Sequence, residues 1–251
     1  RHTRLVSDWS SDVCSSDLRG DHPELSRTIG RAWVLARDLG HPRVGGEHLL
    51  LALAAGGGAI AELLAGHGAT EDAIRAAARA AEPAGAGAAA DREILATLGV
   101  DLDRLLSEPG TALLDRPPVR EPLLPLGAAK ARRRCARLNP PIGLDAQAAY
   151  EASLRLALAR RERRHRTEHL AVALVAFDPG TAWVLKRAGA NPKALLAALA
   201  AAFPPPRRNA LLRFDRRLHR RSRLADLVRR YERTTGRTVT AGPAAVMPLV
   251  C

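Results

Sequence analysis

Aromatic residues make up only 3% of the 251-residue chain. A core must therefore be built from Leu, Ala, Val and Ile, which favours closely packed helices over sandwiches of β-branched and aromatic strands. Lysine is confined to Lys130, Lys186 and Lys193. None of the three follows a glycine, so the G-x-x-x-x-G-K-[ST] loop that cradles nucleotide phosphates is missing and ATP hydrolysis is not expected. Cysteine is scarce as well: Cys14, Cys135 and Cys251 are odd in number and far apart. They support neither a disulfide framework nor a zinc cluster, and a reducing cytoplasm fits. No apolar run reaches the roughly 20 residues that span a bilayer, and no secretory leader is legible.

What is abundant is alanine and arginine. Hydrophobic residues are 47% of the chain and the formal charge is +13, enough apolar content for a core and a surface that attracts anionic partners without choosing among them. Asp8 to Leu18, DWSSDVCSSDL, reads codon for codon as a translated sequencing-library adapter, so residues 1–18 are set aside from fold reasoning as an artefact.

The organising feature is a duplication. Gly45-Gly46-Glu47-His48-Leu49-Leu50-Leu51-Ala52-Leu53 returns 121 residues later as Arg166-Thr167-Glu168-His169-Leu170-Ala171-Val172-Ala173-Leu174. The same ungapped offset pairs Leu35 with Leu156, Leu64 with Leu185 and Gly68 with Gly189, and a repeat on that scale sets the architecture. In the first copy, apolar spacing predicts a helix from Pro23 to Leu39, a second from the motif to about Ala55, a short third over Ala59 to Ala65, and a fourth capped by Thr70. In the second copy, helices are expected from about Leu144, after Thr167 as N-cap, over Thr181 to Ala188, and after Asn191 with Pro192 at its first position. The expected organisation is repeat 1 over 23–82, a linker over 83–142 with a helical segment at 91–106, repeat 2 over 143–203, and a basic tail over 204–251. Within that tail Arg207 to Arg237 carries twelve arginines.

A helix, a Leu-Gly-His turn, [TG]-Glu-His-Leu-Leu-Leu-Ala-Leu, a Gly-rich turn and a Leu-Leu-x-x-x-Gly helix end, present twice, resemble the Clp N-terminal domain, also called the Clp repeat domain. The matching residues are Leu39-Gly40-His41, Gly46 to Leu53, Leu63-Leu64 and Gly68, then Thr167 to Leu174, Leu185 and Gly189. The second copy departs where Arg160-Arg161-Glu162 stands in place of Leu39-Gly40-His41. The resemblance implies an all-α fold of two four-helix repeats related by a pseudo-two-fold axis. It further implies a non-catalytic module that receives substrates or adaptors for an AAA+ Clp unfoldase, with no cofactor. Some similar domains bind phosphoarginine through the glutamate of this motif, so Glu47, Glu168 and Thr167 are the candidate partner-binding residues. A carboxylate there can hold a guanidinium in a bidentate pair, and free N–H groups of the helix start can receive a phosphate.

His48 and His169 are expected to be structural, and no metal site is expected. His165-Arg166-Thr167-Glu168-His169 spells H-x-x-E-H, but His165 should fall outside the helix and cannot stack beneath His169. A rival reading is a nucleic-acid-associated regulator that contacts phosphates through Arg207 to Arg237.

Overall fold

The structure, a computed structural model, describes residues 21–82, 84–101, 140–160, 162 and 164–205. The adapter-like segment, Cys14, Cys135, Cys251, the basic stretch Lys130 to Arg134, and Arg207 to Arg237 lie outside the described residues. Among the described residues the fold is all-α: α1 (Pro23–Asp38), α2 (Gly46–Ala54), α3 (Gly58–Gly66), α4 (Glu71–Ala80), α5 (Ala86–Thr97), α6 (Leu144–Ala159), α7 (Thr167–Phe177), α8 (Pro179–Arg187) and α9 (Pro192–Ala202). Adding 121 to the first residues of α1, α2, α3 and α4 gives the first residues of α6, α7, α8 and α9 in turn.

The two units are joined reciprocally. His22 N–H donates to the His165 carbonyl at 2.8 Å, and Gly143 N–H donates to the Val44 carbonyl at 2.9 Å. Since 22 + 121 = 143 and 44 + 121 = 165, each unit makes the same bond to the other. The isolated bridges Asp21 with His165 and Val44 with Ile142 obey the same exchange. Gly68 faces its own counterpart, with an added Cβ lying 3.7 Å from the Gly189 carbonyl oxygen. A self-pair of that kind sits on the axis of an isologous contact.

α2 is the centre of the molecule. Beyond Glu47 and His48, GEHLLLALA is apolar on every side, and a helix of that kind belongs inside. Every residue from Gly46 to Leu53 is buried, and α2 packs against α1 and against α3 through α8. The caps are local. Thr70 Oγ1 accepts from Ala73 N–H at 3.3 Å, and Asn191 Oδ1 accepts from Lys193 and Ala194 N–H at 3.0 and 3.3 Å. No helix among the described residues is by itself long and apolar enough to cross a membrane; α2 and α3 pass only as a pair bent by 103°.

Three expected boundaries are corrected. The helix expected within 91–106 begins at Ala86, inside the stretch read as linker, and ends at Thr97; residues 102–106 lie outside the described residues. Gly85 at φ 91° turns the chain into it, Gly99 at φ 73° ends it, and Ala86, Ala89 and Ala90 are buried. Burial against α8, which no local pattern reveals, extends this helix backward. α8 starts at Pro179 rather than Thr181 because Asp178 caps it, accepting from Thr181 N–H at 2.8 Å and from Thr181 Oγ1 at 2.6 Å. α7 has Arg166, not Thr167, as its N-cap. The Arg166 N–H is satisfied by His169 Nδ1 at 3.1 Å, the part that a Glu or Gln at the third helical position plays in a capping box.

α5 and α8 meet backbone to backbone. A Cβ on Gly180 would lie 2.7 Å from Gly87 N and 3.0 Å from the Ala86 carbonyl carbon, and Trp183 Nε1 donates to Glu93 Oε1 at 2.5 Å across the same contact. Gly180→Ala is expected to force the helices apart and cost about 1–3 kcal/mol. Chemical denaturation would show it as a lower midpoint, and an unchanged midpoint would mean that the contact yields freely.

Candidate functional site

The motif glutamates occupy different surroundings. Glu47 is 2% exposed, with Oε1 3.3 Å from His48 Nδ1 and 3.9 Å from His41 Nδ1. His41, itself buried, hydrogen-bonds outward through Nε2 to Glu82 Oε1 at 3.3 Å, and its ring meets that of His48 edge-on with centroids 4.7 Å apart. Burial, the largest influence, would raise the Glu47 pKa, but His41, His48 and a backbone bond together outweigh it and hold it below the usual value. His41 is raised in turn, first by Glu47 and then by Glu82. His48, desolvated inside the protein, is pushed down to about 4 and stays neutral. Its Nδ1 accepts from Gly45 N–H at 2.9 Å, the same cap that His169 supplies to α7.

Two more carboxylates approach α2 from the second unit. Asp145 Oδ2 accepts from Gly46 N–H at 2.8 Å. Asp178 lies where a Cβ on Gly46 would have to go. That contact explains why the first copy of the motif has glycine where the second has Thr167: a side chain there would evict the α8 cap. Burial, then the Glu47 charge, raises the Asp145 pKa to about 6. Asp178 is raised by burial as well, against the pull of its bonds to Thr181.

Glu168 is half-buried at the start of α7, with Thr167 Oγ1 3.5 Å from its Oε2. The residue that faces His169 in this unit is Glu162, whose Oε1 lies 3.0 Å from His169 Nε2. Burial, the largest influence, would raise Glu162, but His169 together with the Arg160 and Arg166 charges outweighs it and lowers the pKa. Glu162 stands at the position of His41 in the first unit, since 41 + 121 = 162. The histidine therefore already has an acid, and Glu168 is left toward the surface. The candidate partner-binding residues thus differ in setting: Thr167 is buried and Glu168 half-buried. Glu47 is enclosed by His41 and His48, whereas Glu168 and the exposed Arg164 and Arg166 border solvent.

No protein-family model matches the chain, and no curated protein matches it. Among solved structures it is similar to the N-terminal domain of the Caseinolytic protease associated chaperone ClpD from Arabidopsis thaliana, at 23% identity and a TM-score of 0.45, over 74% of this chain and 95% of that chain.

One constellation in this fold was not legible in the sequence. Asp21 Oδ1 contacts His165 Nδ1 at 2.8 Å, His165 Nε2 contacts Ser153 Oγ at 2.7 Å, and Tyr150 donates to Asp21 Oδ2 at 2.8 Å. The connectivity is that of a Ser-His-Asp triad, but the side chains of His165 and Asp21 are 0% exposed, and Ser153 is 0% exposed. Ser153 Oγ donates to the Tyr150 carbonyl at 2.6 Å rather than offering its proton to a base, so no nucleophile is presented. The network ties the chain ahead of α1 to the loop ahead of α7. With both His165 ring nitrogens engaged, the H-x-x-E-H motif cannot gather a metal here. Asp21 is 144 residues from His165 in the chain, a separation no spacing rule covers.

Proposed function

We propose that the chain is a non-catalytic docking module that presents peptide-borne groups to a Clp chaperone and protease system in the cytoplasm, as substrate receptor or adaptor. The observation that carries this is the duplicated [TG]-Glu-His-Leu motif, resembling that of Clp N domains, placed at two helix starts of one reciprocal pair of bundles. Glu168 is the residue assigned to the partner. Its carboxylate takes the guanidinium of a phosphoarginine in a bidentate pair, and the N–H groups opening α7 take the phosphate.

Titrating phosphoarginine against the full chain is expected to give one dominant site, weakened at least tenfold in Glu168→Ala and little changed in Glu47→Gln, because Glu47 faces His41 and His48. Equal binding by wild type and Glu168→Ala would overturn the assignment. Co-purification from the host with an AAA+ unfoldase supports the module reading. Binding to nucleic acid that survives moderate salt, lost on deletion of Arg207 to Arg237, would favour a regulatory role instead.

A further inference from the structure

We propose that the basic C-terminal segment folds back on its own chain and seats Leu224, Leu227, Val228 and Tyr231 against the outer half of α5. The observation that carries this is an overhang. Ala86, Ala90, Ile94 and Leu98 follow one another at intervals of four, which makes them a single ridge of the helix. Their exposure climbs along that ridge from 0% and 6% to 56% and 72%. Only the alanine half is covered, where α5 meets α8 through Gly87 and Gly180. A helix that turns its large apolar side chains outward, next to its own buried stripe, presents a docking face.

The charge around that face specifies the occupant. From Glu82 to Asp101 the acids Glu82, Asp91, Glu93 and Asp101 stand against one base, Arg92, and all four acids are exposed. Glu82 and Glu93 bond to His41 and Trp183 and still present their charge to solvent. Asp91, Ile94 and Leu98 fall at i, i+3 and i+7, on one side of the helix. The fitting partner is an apolar stripe with arginines at its edges. Leu224, Leu227, Val228 and Tyr231 have the i, i+3, i+4, i+7 spacing of a helix laid on an apolar surface, and Arg223, Arg229 and Arg230 adjoin them. The surrounding Arg207 to Arg237 sets twelve arginines against Asp215, Asp226 and Glu232. The tether is long enough. The 19 residues from Pro205, the last one described, to Leu224 reach up to about 60 Å, more than the roughly 40 Å width of a body this size. Attachment to the same chain raises the local concentration of the segment and favours its own body over a second copy.

The test uses the full chain with Cys14, Cys135 and Cys251 replaced by serine. Leu227→Cys is combined with Leu98→Cys, or with Glu62→Cys on the exposed side of α3 as the control, and each protein is treated with a short bis-maleimide. Expected is fast cross-linking within one chain for the pair 98 and 227 and slow cross-linking for the pair 62 and 227. Equal rates for the two pairs overturn the proposal. Links that form only between chains overturn it too, since the occupant is then a second copy. As an independent readout, tryptic cleavage between Arg223 and Arg237 is expected to be about tenfold faster in Ile94→Glu/Leu98→Glu than in the wild type, because cleavage follows the undocked fraction. Both substitutions lie at exposed positions, so the helical circular dichroism should not change. Equal cleavage of the two proteins would mean that something other than this segment covers α5.

Discussion

Leu50→Ala is expected to lose about 2–5 kcal/mol of unfolding free energy, among the largest costs of any single substitution here. Leu50 is 0% exposed on α2, the helix that touches both bundles, so the cavity has walls from each and neither can collapse into it independently. A urea series would show a lower midpoint at nearly constant slope, because the surface exposed on unfolding is unchanged. A loss below about 1 kcal/mol would mean that α2 is not the shared core. A second transition in the mutant would mean that the bundles fold separately.

Asp145→Asn is expected to stabilise the protein by about 2 kcal/mol at neutral pH and to steepen its pH dependence. Asp145 has an ordinary value of 3.8 and is raised to about 6 in the fold. Between those values the folded chain binds more protons than the unfolded one, so its contribution to stability falls as pH rises through that window and stays lost above it. His48 runs the other way. It is lowered from 6.5 to about 4, the unfolded chain binds more protons between those values, and stability rises with pH by roughly 3 kcal/mol across them. In the wild type the two contributions oppose each other from about pH 4 to pH 6, leaving a shallow profile. Asparagine still accepts the Gly46 amide through its side-chain carbonyl but carries no charge toward Glu47, so the slope of His48 emerges. Unfolding free energies measured from about pH 4 to pH 7 would check this, and parallel profiles for the two proteins would refute the opposition.

The fold was largely legible because its signals are local. The caps at Thr70 and Asn191 and the glycine stops at Gly68 and Gly189 need only neighbours in sequence. Because the duplicated unit keeps its offset without a gap, reading the first bundle gives the second. The site was legible only in part. The replacement of Leu39-Gly40-His41 by Arg160-Arg161-Glu162 is what sets Glu168 apart from Glu47, since an acid at 162 occupies His169 and a histidine at 41 cannot.

The amino-acid order by itself determined that this protein is two copies of a helical unit with a largely apolar helix in each, because hydrophobic periodicity and capping act within a few residues. Which glutamate is enclosed was decided only by the packed chain, as were the approach of Asp145 and Asp178 to Gly46 and the partnership of Asp21 with His165. Burial and electrostatic coupling depend on groups about 100 residues or more apart in sequence, and only the docking of one bundle on the other brings them within reach.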